Sequence, residues 1–367
     1  VHRTPVARTL PDFPWDSLLE AKARAQAHPD GIVDLSVGTP VDPVAPHIRE
    51  ALLSVADQPG YPTTHGTLAL RTAAAEALHR RYGVTGIDQA TVLPAIGTKE
   101  LIAWLPRLLA LGPGDTVVIP EFAYPTYEVG ALLAGAEVIR SDGVFALGPQ
   151  RVGMIYLNSP SNPTGRVLGV EHLRKVVEWA RERGVIVVSD ECYLGLGWDT
   201  DPVSLLDPRV CEGVFDGLLA VHSLSKTSNL ASYRAGFVTG DPELISDLLE
   251  VRKHAGMMVP LPIQAAAAAA LSSDQHEAEQ KQRYRHRRDV LRSAVEAADF
   301  RVDHSEAGLY LWASRGEPAS DTVAWLAERG ILVAPGHFYG PRGAEHVRIA
   351  LTATDERIEA AAKRLAA

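Results

Sequence analysis

The middle of the chain alternates short β-branched runs with longer stretches of helical period. Residues 92–95, Thr116–Ile119, Glu137–Arg140 and 153–157 are strand candidates, each too short for a stable helix. In 171–183, Leu173, Val176, Val177 and Ala180 recur at helical spacing with charges on the opposite face. Gly184 closes that helix, and the fully apolar run 185–188 (VIVV) predicts a buried strand. Residues 218–222 form the next strand. This order predicts an α/β domain with a mostly parallel sheet and helices on both faces. The alanine tract 265–270, between Ile263 and Leu271, predicts a packed helix, since alanine is the best helix former. After about residue 275 the pattern changes. A charged helix (282–298), a strand (308–313), a helix (320–329), strands at 331–334 and 346–351 and a final helix (355–365) predict a smaller α+β domain. The first forty residues are Pro-rich and read as irregular. The expected division is a large domain over 45–275 and a small one from 1–44 with 276–367.

Ligands of an open parallel sheet bind at the carboxyl ends of its strands. Five chemically distinctive segments fall there. They are Gly97-Thr98-Lys99, 120–127 (PEFAYPTY), 158–165 (NSPSNPTG), 189–193 (SDECY) and 223–226 (SLSK), the last followed by Arg234. A lysine just beyond an apolar strand, as Lys226 is, is only partly solvated. Burial and nearby cations make its neutral amine available for an imine. Alone it also reads as a surface lysine in a Ser-rich turn. Asp190 closes an apolar strand, so its carboxylate needs a cation or serves as a helix cap. A pyridinium nitrogen is the cation that would give it chemical work. The 158–165 segment is rich in turn formers, with the Ser159-Pro160 and Asn162-Pro163 bonds candidates for the cis form. Gly97-Thr98-Lys99 opens a helix, whose free N–H groups favour an anion.

Composition narrows the partners. The net charge of −9 comes without a basic patch, so nucleic acid and anionic membrane are not expected. Two cysteines, Cys192 and Cys211, fit a reducing compartment, and no secretory signal layout precedes the first elements. A cytoplasmic location is the expectation. No metal site is expected.

The ordered motifs Gly-Thr, Tyr-Pro-x-Tyr, Asn-Pro-Thr-Gly, Asp-x-x-Tyr, Ser-x-Ser-Lys and Arg resemble the class I aminotransferases of fold type I. The resemblance spans the chain, from Ser36-Val37-Gly38-Thr39-Pro40 to His346-Val347-Arg348-Ile349. It implies pyridoxal 5′-phosphate as cofactor, a seven-stranded sheet in the large domain, amino acid and 2-oxo acid substrates, and a homodimer with shared active sites. It further implies that Lys226 carries the cofactor as an imine and moves the substrate proton, and that Asp190 partners the pyridinium nitrogen. By the same resemblance Tyr193 and Asn162 bond the phenolic oxygen, and Tyr124 stacks on the ring. Gly97, Thr98, Lys99, Ser223, Ser225 and Arg234 form a phosphate cup, with Tyr61 reaching it from the neighbouring subunit. Arg348 clamps the substrate α-carboxylate, helped by Gly38, with Asn162 also facing substrate.

The stretches PDFPWDSL, LSVGTPVDPVAP, SNPTGRVLG, SDECYLGLGWD, HSLSKTSNLASYRAGF and EAGLYLW are similar to those of the N-succinyldiaminopimelate aminotransferases of lysine biosynthesis. That subgroup implies glutamate as amino donor and a long acylated oxo acid as acceptor. Lys99 then either binds the distal carboxylate or lies solvated along its helix, and Arg24 is a second cationic candidate. Cys192 is expected to point away from the site as a packing residue. Two other readings share the motifs: an aminotransferase of aspartate, aromatic or alanine type, and a fold-type I C–S lyase. A DNA-binding regulator with a ligand domain of this type is disfavoured by the missing basic patch and missing room for a second domain.

Overall fold

The computed structural model describes residues 5–144, 147–148 and 151–366. Near the start of the chain, helix α1 (Leu19–Gln26) and strand β1 (Val33–Asp34) replace the irregular segment expected there. Alanines cause this: Ala25 of α1 packs with Ala327 and Leu332, a small-residue contact that hydrophobic periodicity does not reveal. Helices α2 (Pro46–Leu53) and α3 (Leu68–Tyr82) follow. Thr67 caps α3 by accepting from Leu70 N at 3.2 Å.

The predicted strands then appear within a residue or two: β2 (Val92–Ile96), β3 (Thr116–Ile119), β4 (Glu137–Arg140), β5 (Val152–Asn158), β6 (Ile186–Asp190) and β7 (Leu218–Ser223). Helices α4 (Thr98–Leu108), α5 (Thr126–Ala134), α6 (Val170–Arg183) and the short α7 (Pro208–Cys211) lie between them. A further strand, β8 (Ala235–Gly240), has no counterpart in the sequence reading. Its residues, AGFVTG, mix two glycines with an alanine and show neither alternation nor a β-branched run.

Among the described residues the large sheet has seven strands in the order β2-β8-β7-β6-β5-β3-β4. Pairs β3/β4, β3/β5, β5/β6 and β6/β7 are parallel, whereas β8 is antiparallel to both β7 and β2. The sheet is therefore mostly parallel, as expected. One face carries the α2, α3, α6 and α7 side chains Ile48, Leu70, Leu173 and Val210. Helix α9 (Leu261–Leu271) joins them through its predicted alanines. The other face packs against α4, α5 and α8 (Pro242–Ala255) through Leu101, Tyr127 and Ile245.

The remaining chain builds a second layer. Helix α10 (Gln275–Ala297) starts earlier than its expected bound of 282, because its first turns are polar on every face and carry no apolar stripe. Strands β9 (Arg301–Asp303) and β10 (Tyr310–Ser314), helix α11 (Ala319–Glu328), strands β11 (Ile331–Leu332), β12 (Ala334–Pro335) and β13 (Val347–Ala350), and helix α12 (Asp355–Leu365) complete it. The strand expected at 331–334 is broken at Val333: β11 pairs with β1, and β12 joins the sheet β12-β13-β10-β9. A separate apolar cluster joins α10, α11 and α12 to that sheet through Tyr284, Leu326, Ile358 and Trp312. Among the described residues no helix is long and apolar enough to cross a membrane.

Candidate active site

Strand β7 ends at Ser223, and the following turn delivers Lys226 at the sheet edge. Its Nζ donates to Gly38 O, and its own carbonyl accepts from Tyr284 Oη at 3.0 Å. On the adjacent strand, Asp190 ends β6 and is 5% exposed. Its Oδ2 accepts from Tyr127 Oη at 2.7 Å and its Oδ1 from Cys192 N at 3.2 Å. Burial pushes the Asp190 carboxyl above its ordinary range, against the pull of those bonds. No ion-pair partner for it exists among the described residues.

At the start of α4, Gly97 adopts the left-handed φ of 73°, and no side chain caps the helix. A Cβ there would lie 2.2 Å from Arg234 Nη2, so the guanidinium crosses directly over this glycine. Arg234 is held by its Nη1 donating to Ala231 O at 2.9 Å. Ser223 Oγ accepts from Ser225 N at 3.1 Å, beside Gly236, where an added Cβ would be 3.0 Å from Thr98 Cγ2. Gly97, Thr98, Ser223, Ser225 and Arg234 thus converge. Lys99 turns outward, its ammonium 5.5 Å from the Phe13 ring centroid. Partial burial first, and Arg234 second, lower its pKa.

Opposite, the Ser159–Pro160 and Asn162–Pro163 bonds are both cis. Asn162 N donates to Asn158 Oδ1 at 2.7 Å, and Asn158 Nδ2 donates to Asp190 O at 2.9 Å, tying this loop to β6. Arg348 on β13 is 2% exposed. Its Nη1 donates to Asn162 Oδ1 at 2.9 Å and its Nη2 to Ser36 O at 2.7 Å, while Nε has no partner. The guanidinium lies 3.9 Å over the Tyr310 ring and meets no carboxylate among the described residues. Tyr193 and Tyr310 share a hydrogen bond of 3.0 Å between their hydroxyls. Burial holds Tyr193 well above its ordinary pKa. Burial would raise Tyr310 too, but the Arg348 and Lys226 cations outweigh it and draw Tyr310 down. Gly38 faces that phenol, and a Cβ on it would sit 2.2 Å from Tyr310 Oη. Tyr124 is half-buried, edge-on to Tyr127 at 5.7 Å, with burial pushing its pKa to about 12.

Three expectations fail or stand apart. Cys192 does not face away: the chain turns after Asp190, strand alternation stops, and Sγ donates to Thr98 Oγ1 at 3.4 Å. Burial raises the thiol well above its usual pKa, which keeps it a poor nucleophile. Arg24 pairs with Glu20 and Glu328 on the surface, because those acids share its side of the α1 and α11 contact. Tyr61 is 96% exposed and joins none of these groups within its own chain. Sequence reasoning missed Tyr127, Asn158 and Tyr310 as neighbours of the site. All three lie inside motifs already singled out, at positions where strand and turn geometry decide which side chain faces inward.

A profile of the family described as aminotransferase class I and II matches residues 30–365. The chain belongs to that family. This aminotransferase is 68% identical over 360 residues to a probable aminotransferase of Mycobacterium tuberculosis, covering 98% of this chain and 86% of that one. It is 61% identical over 358 residues to the 4-dedimethylamino-4-oxo-anhydrotetracycline transaminase OxyQ of Streptomyces rimosus, covering 98% and 99%. Among solved structures, substrate-bound BacF of Bacillus subtilis matches with a TM-score of 0.89 at 28% identity, covering 100% and 98%. A probable N-succinyldiaminopimelate aminotransferase of Thermus thermophilus matches at 0.86 and 29%, covering 96% and 99%. The fold is that of the fold-type I transferases, and the family depends on pyridoxal phosphate. The residues fit that group. A buried carboxylate lacks a cation, an uncapped helix start lies under a guanidinium, and the Lys226 amine, held on Gly38 O, follows the strand next to that carboxylate.

Proposed function

We propose that this aminotransferase carries pyridoxal phosphate on Lys226 and passes an amino group from an α-amino acid to a 2-oxo acid. The carrying observation is Arg348, a buried guanidinium with a free Nε and no acid beside it, on the same side as the Lys226 amine. A buried unpaired cation is costly unless an anion arrives, and a substrate carboxylate supplies it. When bound, the cofactor supplies an aldehyde for amines and a ring that accepts electrons. Asp190 keeps the ring nitrogen protonated. Arg234, Thr98, Ser223, Ser225 and the Gly97–Lys99 backbone hold the phosphate. Asn162 and Tyr193 would bond the ring oxygen, and Tyr124 would pack on the ring. Arg348 and Gly38 fix the donor so that its α-C–H bond faces Lys226 Nζ, which takes that proton and later returns one. Residues 45–275 serve as the cofactor-binding domain, with 1–44 and 276–367 as the small one. In a homodimer the partner subunit's Tyr61 reaches the phosphate, a role supported by its exposure in the isolated chain.

For substrates, we infer glutamate as donor and N-succinyl-2-amino-6-oxopimelate as acceptor. The motif stretches and the Thermus thermophilus neighbour support this, as does a relative described as LL-diaminopimelate aminotransferase at 33% identity. The 61% identity to OxyQ favours a second reading, in which the acceptor is an oxo-anhydrotetracycline. Assaying the purified enzyme with glutamate against both acceptors separates them. A higher kcat/KM for the tetracycline, or activity with neither acceptor, sinks the first assignment. Ammonia release without transfer to 2-oxoglutarate would indicate a lyase instead.

A further inference from the structure

One face of α10 touches both halves of the site. Glu277, Gln280, Tyr284 and Arg287 fall at helical spacing along it, and the last three are at most 2% exposed. Glu277 Oε1 accepts from Thr227 Oγ1 at 2.8 Å and from Ser228 Oγ at 3.2 Å. Gln280 Oε1 accepts from Asn229 Nδ2 at 2.9 Å, and Tyr284 Oη donates to Lys226 O. These bonds hold the turn that presents the amine.

The same face also grips the segment before α2. Gln280 Nε2 donates to Asp42 Oδ2 at 2.7 Å. Arg287 makes a fork on Asp42, with Nη1 to Oδ2 and Nη2 to Oδ1 both at 2.7 Å. Its Nε donates to Asp355 Oδ1, also at 2.7 Å. Upstream, the chain is fastened to the small sheet: Ala350 N donates to Leu35 O at 2.9 Å, and Thr352 Oγ1 donates to Val37 O at 3.1 Å. Gly38, whose carbonyl receives Lys226 Nζ, therefore hangs between two fastenings, and Asp42 is the downstream one.

We propose that Asp42 is a positioning residue of this aminotransferase, clasped by Gln280 and Arg287 so that α10 serves as the common mount of the Lys226 turn and of the Gly38 segment. Its role is indirect: it touches neither substrate nor cofactor, and acts by keeping Gly38 between the amine and the Tyr310 phenol. Bidentate pairing gives the clasp a fixed geometry that a single hydrogen bond lacks. Asp355, bonded to the far side of Arg287 and half-exposed, has no contact with that segment and provides the control. The substrate consequences rest on the function proposed above, whereas the clasp itself can be read without any reaction.

The test compares Asp42→Asn with Asp355→Asn in the full-length enzyme. Hydrogen exchange followed by mass spectrometry should show faster exchange in peptides covering 35–44 and 223–230 for Asp42→Asn, and no change there for Asp355→Asn. In steady state, Asp42→Asn should raise the KM for the amino donor on the order of tenfold with a smaller change in kcat, and Asp355→Asn should leave KM in place. Unchanged exchange at 35–44 in Asp42→Asn overturns the clasp. Faster exchange there with 223–230 untouched overturns the common mount. A KM equal to that of Asp355→Asn reduces Asp42 to a contributor to stability only and also overturns the proposal. If the wild-type enzyme transaminates no donor, the proposed function fails, while the exchange comparison still decides the clasp.

Discussion

Tyr127 gives its phenolic hydrogen to Asp190 Oδ2 across 2.7 Å, on the buried side of the carboxylate. Burial alone drives this acid toward its neutral form, and Tyr127 is one of the groups opposing that drive. A hydrogen bond to a charged group contributes about 1.5–3 kcal/mol. Tyr127→Phe should therefore lower kcat by roughly tenfold to a hundredfold and shift the pH titration of the cofactor absorbance. Unchanged values in both would show that Asp190 does not depend on Tyr127.

Arg348→Lys retains a charge but loses the planar fork that reaches Asn162 and Ser36 together. The expected result is a fall in kcat/KM for α-amino acids on the order of a hundredfold. Simple amines that lack the α-carboxylate should lose far less. Equal losses for both donor classes would remove the carboxylate clamp.

Lys226→Ala should abolish both turnover and the visible absorbance of the bound cofactor. Mixed with Tyr61→Phe protein, it should recover part of the activity if hybrid dimers contain one site in which both residues are intact. Native mass spectrometry, which resolves the small mass difference between the two variants, would verify that hybrids form. Their inactivity would argue that each chain completes its own site.

Glu191 and His222 lie 3.6 Å apart in the interior, yet they do not form an ion pair near neutral pH. Burial drops His222 to about 3, so it is uncharged, and burial raises Glu191 from 4.5 to about 7. The folded state thus holds the Glu191 proton to higher pH than the unfolded chain does. Its contribution is fully present below about 4.5 and is lost as pH rises through about 7. The difference amounts to about 3 kcal/mol at most. Glu191→Gln, which can keep the bond from Leu205 N, should make stability rise more steeply with pH across that window, because neutral His222 contributes the opposite slope, which Glu191 offsets in the wild type. Chemical denaturation at a series of pH values measures it, and an unaltered slope would count against a titrating Glu191.

The parallel strands were legible because buried strands such as β3 and β6 are continuous apolar runs, and the site loops because they follow those runs. Strand β8 was not, since Gly236 and Gly240 are chosen for close backbone approach: an added Cβ at Gly240 would be 2.1 Å from Leu218 O. The start of α10 was hidden for the opposite reason, its buried face being polar: Glu277 and Gln280 face the Lys226 turn and Asp42 rather than an oily core. Cys192 was misplaced because a turn interrupts the alternation on which its orientation was judged. Tyr310 stood inside a recognised segment, but its meeting with Tyr193 joins residues far apart in the chain, a pairing that no local pattern announces.

Strand β8 doubles back beside β7, so its first residues share an edge with the last residues of β7. A parallel successor would have begun at the far end of the sheet. Lys226 and Arg234 therefore belong to a single short excursion, and the length of that loop helps set the span between amine and guanidinium. One residue added or removed between them would detune both ends at once, whereas comparable changes in the helical crossovers would be absorbed at a distance.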